Sequence, residues 1–275
     1  RLLWLGIALA TLAFISLRFR FAHRTPSTRR SLGRRTKKIN AAAKTNHPPI
    51  AVPHPPISHG IVLHLRQMLA ITRSSFRMVA KSPAGLFLLA AFPVMLVLML
   101  QIELQHWGVP VMPRTVQIVT RYLTAPITSP LNYWLMVPLL IIYFAGELIW
   151  RDRDARLNET VDASPVPEWA LFLGKYLGLA LVLAALMAML TVAGIVTQAL
   201  RGYHDFEVVR YLQMLFGFQL PEYLLFAILA FAIQVVVDHK HVGQLVALIA
   251  YLLMIFAGFL GIEHNLLIYT AGPGW

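Results

Sequence analysis

The run from Ala170 to Leu200 holds one charged side chain, Lys175, and no proline. An apolar stretch of this length is more than one crossing requires, since roughly 20 helical residues already span the ~30 Å hydrocarbon layer of a bilayer. Further apolar runs fall at about 84–102, 131–150, 222–237 and 242–262, with a shorter one at 2–17. In hydrocarbon every backbone N–H and C=O needs a partner inside the protein, so repeated runs of this kind fold as spanning helices. The expected fold class is all-α, a polytopic helical membrane protein with about six transmembrane helices. Only 13% of the residues are charged and mean hydropathy is +0.65, whereas soluble domains carry about a quarter charged residues.

Charge orients these spans. Net charge is +12, and the cations concentrate between Arg18 and Lys81, flanking apolar runs as the positive-inside rule requires of cytoplasmic segments. Residues 18–81, 151–169 and 238–241 are thereby expected in the cytoplasm, with 103–130 and 201–221 outside. The basic tract has no interleaved aromatic residues for stacking on bases, so nucleic acid is not an expected partner; the lipid bilayer is. With no cysteine in the chain, disulfides and thiolate metal sites are excluded.

The chain divides accordingly. Residues 1–17 read as a truncated transmembrane helix, and 18–60 as a basic, Pro-rich cytoplasmic linker in which His47, His54 and His59 are solvated. Residues 61–275 read as the main membrane domain. Its first piece, 61–81, sets Ile61, Leu65, Met68, Leu69, Thr72, Phe76 and Val79 on one helical face and Arg66, Arg73, Arg77 and Lys81 on another. That is the pattern of a basic amphipathic helix lying in the membrane interface. Ser82-Pro83, Ser129-Pro130 and Ser164-Pro165 each precede an apolar run, pairing an N-cap with a proline at the first helical position. Pro93 is expected to kink the second span. Tyr211–Leu220, cut off by Pro221-Glu222, reads as a short interfacial or re-entrant segment. Gly174 and Gly178, spaced as small-xxx-small, hint at close helix packing.

Chemistry-bearing motifs are scarce. The sequence contains no G-x-x-x-x-G-K-[ST] phosphate loop, no H-E-x-x-H zinc motif and no G-x-S-x-G nucleophile elbow, so neither catalytic nor cofactor-binding nor metal-binding residues are assigned. His239 and His241 flank Lys240 in a turn and read as solvated. Glu147, near the end of its span, has Arg151 four residues on, the favourable order for a structural pair. Glu222 is expected in a first helical turn, where the helix dipole favours an anion.

The segment between the third and fourth spans stands apart. Arg151, Arg153 and Arg156 are interleaved with Asp152, Asp154, Glu159 and Asp162. A topology anchor would be plainly cationic, whereas mixed charge suits a docking face in which complementary pairs set register and partner choice.

Read from Glu147-Leu-Ile-Trp-Arg-Asp-Arg-Asp-Ala-Arg156 through Asp162-Ala-Ser-Pro-Val-Pro167 to Phe172-Leu-Gly-Lys175, this region resembles the membrane subunit of bacterial type-two ABC exporters. More narrowly it is similar to large permeases joined to a gluzincin-type zinc aminopeptidase domain. The likeness extends to Leu220-Pro-Glu-Tyr223, His239-Lys240 and Gly261-Ile-Glu-His264, and so covers about 61–275. It implies an elbow helix at 61–81, with Arg66, Arg73, Phe76, Arg77 and Lys81 at the interface. It also implies a bacterial inner-membrane location and a chain that is one piece of a longer permease. The partners it implies are a separate cytoplasmic ABC ATPase that holds the ATP, docking on Arg151–Asp162, and the remaining permease half or a second copy. An aminopeptidase domain outside this chain is a further implied partner. The other function to weigh is a non-transporting membrane anchor for such a peptidase, which an ATPase gene beside this one would argue against.

Overall fold

A computed structural model describes residues 60–106, 109–110, 114–127, 133–154, 166–237 and 239–257, with residues 6 and 10 as isolated helical positions. The expected pieces 1–17 and 18–59 lie essentially outside the described residues, as do Ser129-Pro130, Ser164-Pro165 and the end of the last expected span.

Helix α1 is Ile61–Lys81. It ends at Ser82, whose hydroxyl donates to the Val79 carbonyl at 2.7 Å and accepts from the Gly85 amide at 3.0 Å. Ser82 thus closes one helix and caps the next, and Pro83 follows at the first helical position, where its missing N–H costs nothing. Helix α2, Pro83–Glu103, contains a π turn at Phe87–Ala91 two residues before Pro93. A proline cannot donate to the turn before it, and the wider π turn takes up the mismatch. Beyond α2, Gln105–His106 (β1) and Val109–Pro110 (β2) form a minimal antiparallel ribbon.

The next segment, expected as a plain external loop, is partly sunk into the bundle. In α3 the helical turn Thr115–Ile118 runs into a π turn, Val119–Leu123, and Ile118, Val119 and Leu123 are fully buried. The chain then turns extended through Thr124, and Ala125 and Ile127 are buried too. Tyr133–Leu135 makes a 3-10 turn leading into α4, Met136–Asp154.

Helix α5, Glu168–Leu200, is the centre of the fold. Leu179, Val182, Leu183, Leu186, Met187 and Leu190 are completely inaccessible. Against its first half lies α1. A Cβ on Gly174 would come within 2.7 Å of the Ile71 side chain, and one on Gly178 would collide with Ser75, so the two glycines form the trough in which α1 rests through Thr72, Ser75 and Val79. The start of the apolar face of α1 is left outward: Ile61 is 77% and Leu69 60% exposed, next to exposed Arg66, Arg73 and Arg77. Gly178→Leu is expected to force α1 off α5 at a cost of about 1–3 kcal/mol, seen as a lower melting midpoint of the purified protein; an unchanged midpoint would mean that α1 is not held there.

One expectation is overturned. Tyr211–Leu220 and the run after Pro221 belong to a single helix, α6, Val208–Val236. Its π turn Leu215–Gln219 stands two residues before Pro221, the same arrangement as at Pro93, so the proline is absorbed and the helix continues. Glu222 is therefore mid-helix, where no helix terminus supplies a dipole. Last comes α7, Lys240–Ile255.

Among the described residues α2, α5 and α6 are long and apolar enough to cross a membrane. Helix α4 is 19 residues long but ends in four consecutive charges, and α7 is a shorter apolar helix. The architecture is that of a helical membrane protein. At the end of the bundle farthest from the α4 charges, a buried polar knot holds α3 to its neighbours. Gln198 of α5 donates to Thr115 at 3.0 Å and accepts from the Tyr211 hydroxyl of α6 at 2.9 Å.

Candidate functional site: the charged end of the bundle

The last turn of α4 carries Arg151, Asp152, Arg153 and Asp154. The two arginines suit the negative end of the helix dipole and the two aspartates oppose it. Each aspartate is answered from another helix. Asp152 Oδ2 lies 2.7 Å from Lys175 Nζ of α5, and Asp154 Oδ2 lies 2.9 Å from Lys240 Nζ at the start of α7. Lys240 also reaches Glu147 Oε1 at 2.9 Å, bridging carboxylates two turns apart on α4. The lysines are the better shielded partners, 14% exposed for Lys175 and 19% for Lys240, against 55% for Asp154.

Glu147 therefore pairs with Lys240, and not with Arg151, which is exposed. The i, i+4 spacing permits the local pair, but a lysine delivered from α7 also serves Asp154. Desolvation works to lower the Lys240 pKa, yet the hydrogen bonds to Asp154 and Glu147 and their negative charges outweigh it and hold the ammonium above its ordinary value. A lysine raised in this way keeps its contribution below the ordinary lysine range and loses it only as pH rises beyond that range. The tie thus persists through the whole neutral range.

A third tie is buried. Trp150 Nε1 donates to Gln234 Oε1 of α6 at 3.1 Å, and Gln234 is 1% exposed. The amide fits there because Gly146 of α4 and Gly243 of α7 leave room; a Cβ on Gly243 would stand 2.5 Å from Gln234 Oε1. Over the outer face of Trp150 sits Arg153, its guanidinium carbon 4.6 Å from the ring centroid, a cation–π contact. The end of α4 is thus fastened to α5 by Asp152, to α6 by Trp150, and to α7 by Glu147 and Asp154.

Of the expected docking residues, Arg151, Asp152, Arg153 and Asp154 share this end, while Arg156, Glu159 and Asp162 lie outside the described residues. Arg66, Arg73, Arg77 and Lys81 are exposed on α1, and Phe76 is packed against the core. Sequence reasoning missed the roles of Lys175, seen only as the one charge in an apolar run, and Lys240, left in a turn. The surplus of acids over cations in 151–169 was the available signal, because unbalanced acids beside a membrane need cations from elsewhere in the fold. Among the described residues no group of three or more His, Asp or Glu is placed to hold a metal.

A family model described as ABC-2 family transporter protein matches residues 76–261, more than half of the chain and all of the charged end. The chain belongs to the ABC-2 transporter family. It is accordingly a membrane permease component of an ABC transporter. Comparison with curated proteins and with solved structures finds no match. In the ABC-2 frame the match begins within α1, at Phe76, and continues through α7. The helices that the ion pairs join are thus all inside the transporter domain.

Proposed function

We propose that this permease moves its solute outward across a bacterial inner membrane, driven by a separate cytoplasmic ATPase that docks on the segment from Arg151 to Asp162. The observation that carries this reading is the triple fastening of the α4 end. A push on that end reaches α5, α6 and α7 together, which is what a rigid-body change between two access states requires. Because Asp152 and Asp154 are already paired inside the protein, the docking contacts fall chiefly to Arg151, Arg156, Glu159 and Asp162. The zinc aminopeptidase domain implied by the resemblance is part of the same proposal, as a domain outside this chain.

Arg151→Glu together with Arg156→Glu is expected to abolish stimulation of the partner ATPase, at least tenfold, while expression and melting midpoint stay at the parent's values. Stimulation at the parental level would remove the docking assignment. Orientation has its own check. A single cysteine at Thr160 should react with a membrane-impermeant maleimide only from the cytoplasmic side, and one at Val116, 43% exposed on α3, only from the other. The opposite pattern would invert the map.

A further inference from the structure

Helix α1 and its continuation α2 run side by side with α5 from one end of α5 to the other. His64 lies edge-on to Trp169, with ring centroids 6.3 Å apart. Ile71 then meets Gly174 and Ser75 meets Gly178, and at the far end Arg201 donates to Gln101 Oε1 at 2.8 Å. Both helices stop near that level, α2 at Glu103 and α5 at Leu200, so Gln101 marks one edge of the apolar layer. At ~1.5 Å per residue Lys81 stands about 30 Å from Gln101, which is about the thickness of the hydrocarbon. Side-chain chemistry places the second edge at the same residue. Every exposed side chain from Pro83 to Ile102 is apolar, whereas Arg73, Arg77 and Lys81 are exposed cations.

Arg73, Arg77 and Lys81 follow one another at i, i+4 spacing and so form one stripe along α1. Lys81 sits at the hydrocarbon edge, with Arg77 about 6 Å and Arg73 about 12 Å beyond it. The headgroup layer is about 5–8 Å deep, and long cationic side chains bend along the helix toward polar surroundings. All three charges therefore reach the level of the lipid phosphates. Arg66, about 22 Å beyond Lys81, stands clear of them. The stripe has no counter-charge. Helix α1 contains no acid, and among the described residues none of the three cations is in an ion pair. Asp152, at this end of the bundle, is already taken by Lys175. Unpaired cations at phosphate depth attract lipids of net negative charge, whereas a zwitterionic headgroup brings its own ammonium. Whatever binds there bears on α5 directly, since α1 rests in the Gly174–Gly178 trough.

We propose that Arg73, Arg77 and Lys81 bind anionic phospholipids of the adjoining leaflet, which fix the depth of the α1–α5 pair in the membrane. This is independent of the direction of transport and of where the ATPase docks. The test uses the full-length protein in phosphatidylcholine liposomes, free of cysteine except for Leu86→Cys, which carries a bimane. Leu86 is 56% exposed and five residues membrane-ward of Lys81. Acyl-brominated phosphatidylglycerol or acyl-brominated phosphatidylcholine is included at equal mole fraction. The anionic lipid is expected to quench at least about threefold more strongly, and about 1 M salt, with its Debye length of about 3 Å, to erase the preference. Arg73→Gln, Arg77→Gln and Lys81→Gln together are expected to erase it while quenching by the neutral lipid persists, and Arg66→Gln to keep it. A bimane at Leu245, 55% exposed and five residues from Lys240, is expected to show no preference, because Lys240 is held by Glu147 and Asp154. Equal quenching at Leu86, or a preference that survives high salt or the triple variant, overturns the anionic class. No quenching by either lipid, loss of the preference in Arg66→Gln alone, or the same preference at Leu245 overturns the site. Should the triple variant fail to insert, the salt series on the parent protein decides.

Discussion

Lys240→Met is expected to cut ATPase stimulation by tenfold or more and to lower the melting midpoint of the purified permease. The ammonium bridges Glu147 and Asp154, 2.9 Å from each. Removing it leaves two carboxylates facing each other at the membrane boundary and releases α7 from α4. Stripping one partner from a buried ion pair costs about 3–5 kcal/mol, and an exposed pair is worth about 0–1 kcal/mol. With Lys240 well shielded and Asp154 open to solvent, about 2 kcal/mol is the reasonable scale. Methionine keeps the length and apolar stem of lysine, so the change reports the charge. A variant that retains both stimulation and midpoint would show that α7 does not take part in coupling.

The second large effect is a swap. Asp152→Lys alone places two cations in contact, with Lys175 14% exposed, and is expected to depress both expression and ATPase stimulation. Adding Lys175→Asp restores an ion pair of opposite polarity between α4 and α5. If Asp152 serves as a tie, the double variant regains most of the stimulation, with a coupling energy of about 1–3 kcal/mol from the cycle. If Asp152 instead contacts the ATPase directly, the double variant folds normally and stays uncoupled. The two results separate transmission within the permease from recognition of its motor.

Much of the fold was written in local patterns. The boundaries of α1 follow from the amphipathic spacing of Leu65, Leu69, Thr72 and Val79 and from the Ser82-Pro83 stop, which is a matter of adjacent residues. Gly174 and Gly178 announced a close helix approach because small residues have few other uses in an apolar run. Where sequence reasoning failed, the deciding partner was distant in the chain. Pro221 reads as a break until a π turn beside it is allowed, and whether the helix continues depends on packing across the bundle. Glu147 has an obvious local mate in Arg151, and nothing nearby in sequence says that Lys240 arrives between two carboxylates. The Thr124–Ile127 segment looks like a surface loop because its polar backbone is satisfied by Gln219, Glu222 and Tyr251, residues about a hundred positions away.

The π turn Leu215–Gln219 in α6 amounts to one residue more than a regular ladder holds. Since each α-helical residue turns the chain by about 100°, that surplus works as an angular offset between the two halves of the helix. Upstream, it leaves Tyr211 aimed at Gln198; downstream, it leaves Glu222 aimed at Ile127. Deleting a single residue from the turn would lengthen the unbroken α-helical ladder and still rotate Glu222 away from Ile127. The phase of this helix, more than its continuity, is what the sequence between Leu215 and Gln219 preserves.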